Sequence, residues 1–219
     1  MIEEKVLELK RKLVENATLV EGMISKSIEG LTRADRESLK KVISEDEKTA
    51  NSLEIELEEM CTAIIAQYQP MTRHLRTVLM AVKMTNDLER MADHAVNISE
   101  SALSIIEQPP IKPFIDMPQL GKLVMNMVTQ AVNSFIHEDT ALAKTVCGLD
   151  SNVDAYNERI LRELIELMTT NPSTVERAIH ILRISNNLER IADLSTNICE
   201  EVIFMVEGRV IKHHHDQTT

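Results

Sequence analysis

The chain has 219 residues, of which 35 are Asp or Glu and 24 are Lys or Arg, for a net charge of −11; 43% are hydrophobic, 2% are aromatic and none is Trp. That length buries a full core as one elongated domain or as two of about 100 residues each, and with five glycines and 12 methionines the core must be filled by Leu, Ile, Val and Met, the mix found between packed helices. The acidic balance disfavours nucleic acid and anionic lipid and suits cations or a basic protein patch.

Helical periodicity with few breakers runs through residues 3–31, 35–69 and 71–107, then through 117–137, 139–170 and 172–207. This predicts six long helices and an all-α fold, as two tandem pseudo-symmetric three-helix bundles of antiparallel helices over 1–107 and 117–208. Between them, four of the six prolines (Pro109, Pro110, Pro113 and Pro118) fall in QPPIKPFIDMP. A helix cannot persist there, because proline lacks an N–H and clashes with the preceding turn, so residues 108–116 read as a linker. Thr32-x-x-Asp35 and Asp116-x-x-Gln119 resemble capping boxes, and Asn171-Pro172 offers an N-cap followed by proline at the first helical position. Gly208 is a plausible helix stop, and residues 209–219, with the run Lys212 to His215, read as a mobile tail. No apolar run approaches the roughly 18 residues of a membrane span, and MIEEKVLELK does not have the basic-then-apolar order of a signal peptide. Cys61, Cys147 and Cys199 are odd in number and outside any C-x-x-C pattern, so neither a disulfide framework nor a zinc knuckle is indicated. A reducing cytoplasm fits.

The two halves are related by an internal repeat. Residues 86–100 and 186–200 share nine of 15 positions, including the polar pairs Glu89/Glu189, Arg90/Arg190, Asp93/Asp193, Asn97/Asn197 and Glu100/Glu200. At about 100° per residue, Glu189, Asp193, Asn197 and Glu200 occupy a sector of roughly 80°, so each half carries an acidic stripe. The second helices align at an offset of 104, pairing Asp46 with Asp150 and Glu54 with Glu158, whereas the third helices align at 100.

If the second and third helices of a half form an antiparallel hairpin, residues at one level have a constant sum of residue numbers. Asp150 with Asp193 and Asp154 with Glu189 both sum to 343, centred on Asn171-Pro172; Asp46 with Asp93 and Ala50 with Glu89 both sum to 139, centred on Gln69-Pro70. Four carboxylates should therefore converge in the second half, but three in the first, where Ala50 stands in place of the fourth. An all-oxygen set of this kind suits hard cations and, with more than four acceptors at one level, bridging of two or more metals. Asn97 and Asn197 are weaker candidates for the same shell, and Arg90 and Arg190 either form intrahelical ion pairs or orient a ligating carboxylate. No His stands three residues after a Glu in the manner of ferritin-like di-iron enzymes. No phosphate-cradling loop, nucleophile elbow or H-E-x-x-H occurs either.

Together, NDLERMADHAVNISE and NNLERIADLSTNICEEVIFMVEGR resemble the paired signature of the PhoU family of phosphate-transport accessory and regulatory proteins, and the resemblance extends over essentially the whole chain. It implies two three-helix bundles, a cytoplasmic homodimer, and E(D)-x-x-x-D motif pairs that hold multinuclear metal clusters. Iron comes first among the ions, with zinc, manganese or magnesium as alternatives. Carried over residue by residue, the metal positions are Asp150, Asp154, Glu189 and Asp193 in the second half and Asp46, Glu89 and Asp93 in the first. The family's role is to repress the phosphate-starvation response when phosphate is plentiful, acting between the ATPase subunit of the phosphate ABC transporter and a phosphate-sensing histidine kinase. The expected function is thus that of a non-enzymatic regulator, peripheral to the membrane only through its partners. The competing readings are a carboxylate-bridged metalloenzyme and a metal-free helical scaffold.

Overall fold

The computed structural model of the chain describes residues 1–111 and 116–208, and every regular element among them is helical. The predicted tail 209–219 and residues 112–115 of the predicted linker lie outside the described residues.

Helix α1 (Ile2–Arg33) buries Leu9, Leu13, Ala17, Val20, Ile24, Ser27 and Leu31 at three- and four-residue spacings, the pattern of a helix with one buried stripe. It ends at Ala34, whose φ of 54° is left-handed and whose N–H is directed back to the Gly30 carbonyl. The expected capping box is corrected here: the Thr32 hydroxyl donates back to the Glu29 carbonyl inside α1, while Asp35 is itself the cap of the next helix, accepting from the N–H groups of Glu37 and Ser38. Asp139 repeats that cap in the second half, accepting from Ala141 and Leu142.

The second helix of each half is interrupted, which corrects the expectation of single helices over 35–69 and 139–170. In the first half α2 (Arg36–Lys41) passes through a π-helical turn at Val42–Asp46 into α3 (Glu47–Tyr68). In the second, α6 (Thr140–Cys147) stops at Gly148 and α7 (Asp150–Thr170) starts two residues later. At the offset of 104 the two interruptions coincide. A π turn absorbs one extra residue within a helix, and glycine holds a helix about 1 kcal/mol less firmly than alanine, so two different local devices break the helix at one place. Both deliver an aspartate there: Asp46 closes the π turn and Asp150 opens α7.

The third helices, α4 (Thr72–Ile105) and α8 (Val175–Glu207), are long and uninterrupted. Asn171 caps the short 3₁₀ turn Pro172–Thr174 that leads into α8, with Pro172 at its first position, and Gly208, at φ 69°, terminates α8, as expected from the sequence. The predicted hairpin registers are also observed. Asn157 donates to Asn186 between α7 and α8, a pair summing to 343, and the Cys61 thiol faces the Val78 carbonyl between α3 and α4, a pair summing to 139.

The halves meet like on like. α4 packs most extensively on α8, and α1 packs on α5 (Asp116–His137). Both pairs run antiparallel, since Arg76 near the start of α4 donates to the Met205 carbonyl near the end of α8, and Lys10 near the start of α1 pairs with Glu138 just beyond α5. Equivalent helices touching each other in antiparallel sense is the signature of a pseudo-twofold axis rather than a translation. The α4–α8 seam carries polar rungs: Lys83 with Glu201, Asp87 with Asn197, and His94 Nδ1 2.8 Å from Asn187 Oδ1.

Candidate functional site

In the second half the hairpin α7–α8 brings Asp150, Asp154 and Asp193 within electrostatic reach of Glu189. Partial burial, and then repulsion from Asp193, Asp154 and Asp150, push the Glu189 carboxyl above its ordinary range against the weaker opposing pull of Arg190. Glu189 Oε2 accepts from Asn157 Nδ2 at 2.6 Å, and Asn157 in turn accepts from the buried Ser185 hydroxyl, so the glutamate is positioned from below by a short polar chain. Arg190 reaches Asp193 at 3.2 Å within α8, combining the two roles open to it from the sequence: an intrahelical ion pair that also orients a candidate ligand. Asp154 is exposed, while Asp150 and Glu189 are half-buried.

The first half is built differently. Asp46, only 6% exposed, is turned inward and bound to Lys26 of α1 at 2.6 Å. Ala50, also buried, supplies no oxygen. In their place Glu54, one turn further along α3, faces Glu89 and Asp93: burial first, then repulsion from Asp93 and Glu54, raises Glu89, and burial with repulsion from Glu58 and Asp93 raises Glu54. Of Asp93 and Glu54, it is Asp93, one turn along α4, that exerts the larger repulsion on Glu89. Arg90 lies 3.8 Å from Asp87 rather than on Asp93.

Of the predicted residues, the structure therefore groups Asp150, Asp154, Glu189 and Asp193, groups Glu89 with Asp93, and directs Asp46 to Lys26. Asn197 turns to Asp87 across the seam between the halves, and Asn97 is half-buried on α4. Sequence reasoning missed Glu54, Asn157 and Lys26. The constant-sum rule would not have found Lys26: Lys12 and Glu56 set the register centred on Ala34, which places Gly22 opposite Asp46, one turn from Lys26.

Four carboxylates match hard cations in donor type, and the like-charge crowding on Glu189, which Arg190 offsets in part, is what a cation would relieve. Among the described residues no three His, Cys, Asp or Glu side chains are gathered tightly enough to hold a metal ion as they stand. The second-half set fits a cation in chemistry and would have to draw in by side-chain rotation. At Asp46 the fit fails, because a lysine ammonium already neutralises the carboxylate. No helix among the described residues is long and apolar enough to cross a membrane.

A repeated unit, one copy in each half of the chain, is also what comparison with known proteins finds. A family model described as the PhoU domain matches residues 13–102 and again 117–202. A protein of Aquifex aeolicus named phosphate-specific transport system accessory protein PhoU homolog is 38% identical over 95% of this chain and 94% of its own length. Homolog 2 of Thermotoga maritima is 31% identical over 99% of this chain and 92% of its own. Among solved structures, PhoU from Pseudomonas aeruginosa superposes with a TM-score of 0.92 at 29% identity, covering 95% of this chain and all of that one. The phosphate transport system regulatory protein PhoU from Streptococcus pneumoniae gives 0.90 at 25% identity, covering 97% and 100%. With the domain model matching twice, once on each helical bundle, and full-length relatives above 30% identity, the chain belongs to the PhoU family.

Proposed function

We propose that this protein is a non-enzymatic cytoplasmic regulator of phosphate uptake. In this reading it is a negative regulator of the phosphate-starvation response, acting between the ATPase subunit of the phosphate ABC transporter and a phosphate-sensing histidine kinase, as a homodimer. The observation that carries the reading is the match over nearly the whole chain, both halves included, to proteins named for accessory service to the phosphate-specific transport system. A surface of net charge −11 suits a basic patch on a partner. Deleting the gene should derepress phosphate-starvation genes in phosphate-rich medium, read with a transcriptional reporter and complemented by the intact chain. Unchanged reporter expression overturns the proposal.

In the same reading the second half holds metal, with iron first among the ions. Asp150, Asp154, Glu189 and Asp193 would supply the oxygens, Asn157 and Arg190 would hold Glu189 and Asp193 in place, and the ion's contribution would be to neutralise the crowded carboxylates and tie α7 to α8. The first half would offer only Glu54, Glu89 and Asp93, with Lys26 already serving Asp46 as its cation. Metal content should therefore be carried mainly by the second half. Elemental analysis of protein purified without chelator, set beside variants of each half, tests this: equal loss from Asp93→Asn and Asp193→Asn single variants would refute the asymmetry.

A further inference from the structure

We propose that Cys147 and Cys199 are a built site for an intramolecular disulfide, formed by a hydroperoxide-class oxidant and stapling the end of α6 to α8 beside Asp150. The two residues are 52 apart in sequence, yet their numbers sum to 346 against the hairpin register of 343, which places them within one turn of the same level on facing helices. Their side chains hydrogen-bond to each other, and both are free thiols. Two sulfurs in mutual contact on neighbouring elements meet the first requirement for a bridge, and Cys147 is the last residue of α6, at the turn Gly148–Leu149 that separates α6 from α7.

The pair is also differentiated as an attacking and a resolving thiol. Cys147 is half-buried and open to a small oxidant, and its contact with Cys199 draws its thiol below the ordinary range, favouring the thiolate. Cys199 is fully buried, with its thiol held protonated by that same contact and by burial. The Cys147 thiolate attacks a peroxide oxygen: an S–O bond forms, the O–O bond breaks, and the departing hydroxide takes a proton and leaves as water. The Cys199 sulfur then attacks the Cys147 sulfur; the S–S bond forms, the S–O bond breaks, and a second water carries off the Cys199 proton. Two thiols are oxidised by two electrons and one hydroperoxide is reduced. Cys61 serves as internal control, since burial lifts its thiol to about 11 and that thiol faces the Val78 carbonyl.

The inference stands without the cation reading, because it rests only on the two sulfurs and the helix end between them. Its test is to treat the full-length reduced protein with one equivalent of hydrogen peroxide and measure intact mass and the peptide map without reductant. The expected product is a monomer lighter by two hydrogens, with the peptides of Cys147 and Cys199 cross-linked, reversed by dithiothreitol and unaffected by Cys61→Ser. Cys199→Ser should instead leave a sulfenic acid on Cys147 that dimedone traps, and Cys147→Ser should leave Cys199 unmodified. Wild-type protein that is unreactive, that accumulates sulfinic acid on Cys147, or that links only between molecules overturns the proposal.

Discussion

Replacing Lys26 with Met isolates the feature that most distinguishes the first half from the second. Lys26 Nζ lies 2.6 Å from Asp46 Oδ2, and the Asp46 side chain is 9% exposed against 35% for Lys26. Removing one partner of a buried ion pair leaves an uncompensated charge and costs about 3–5 kcal/mol; because Lys26 is a third exposed, the lower end applies, about 3 kcal/mol. For a chain of this size each kcal/mol moves Tm by about 2–4 °C, so Lys26→Met should melt about 6–12 °C below wild type by circular dichroism in the presence of chelator. The double variant Lys26→Met/Asp46→Leu removes both charges and fills the space with apolar atoms, and should recover to within about 1 kcal/mol of wild type. Addition of Mg²⁺ or Mn²⁺ should raise the Tm of Lys26→Met more than that of the double variant, as the divalent ion takes the place of the ammonium. A single variant within about 0.5 kcal/mol of wild type, which is the scale of an ordinary surface change, or a double variant no better than the single, would show that the ammonium does not hold Asp46.

At the seam between halves, burial against α8 lifts the Asp87 carboxyl from 3.8 to about 6, although Arg90 and Lys83 oppose it. The folded chain therefore holds this proton more tightly than the unfolded one, so the penalty is absent below pH 4 and complete above pH 6, where at about 1.4 kcal/mol per tenfold it amounts to about 3 kcal/mol. Asp87→Asn should accordingly be the more stable protein at pH 7.5 in urea titrations and lose that advantage at pH 4; a variant no more stable at pH 7.5 refutes the assignment. Asp154→Asn combined with Asp193→Asn should remove most bound metal while helix content stays nearly intact, because both side chains lie off the apolar stripe and exposed changes alter stability by only about 0.5 kcal/mol; elemental analysis beside circular dichroism reads both, and a folded double variant with unchanged metal refutes the site. Gly148→Ala should stabilise by about 0.5–1 kcal/mol, since its φ of −69° is helical and the added Cβ meets nothing nearer than 3.4 Å. Gly30→Ala should destabilise by about 1–3 kcal/mol, because its Cβ would fall 2.6 Å from the buried Leu39 side chain. Thermal melts that reverse this order would show that close packing at the α1–α2 turn is not what Gly30 serves.

Helix type, number of long helices, hairpin register and the stop at Gly208 were legible in the one-dimensional pattern, because each depends on neighbours a turn away or on the arithmetic of a two-helix hairpin. The level-matching of Asp150 with Asp193 and of Asp154 with Glu189 belongs to the same class, and the Asn157–Asn186 and Cys61–Val78 contacts lie on those registers. What escaped was set by packing between elements that are not hairpin partners. The π turn at Val42–Asp46 ends on Asp46, and Lys26 of α1 meets that carboxylate. Glu54 lies near Glu89 and Asp93, where the hairpin register had placed Asp46 level with Asp93. Cys147 and Cys199, whose number and spacing indicated no disulfide framework, are neighbours because α6 folds onto α8. Sequence likewise left open whether the halves are related by rotation or translation. That choice falls to the apolar faces of α4 and α8, which bury most when each covers the other in antiparallel sense, and a helix's own periodicity states that it has such a face without stating what will cover it.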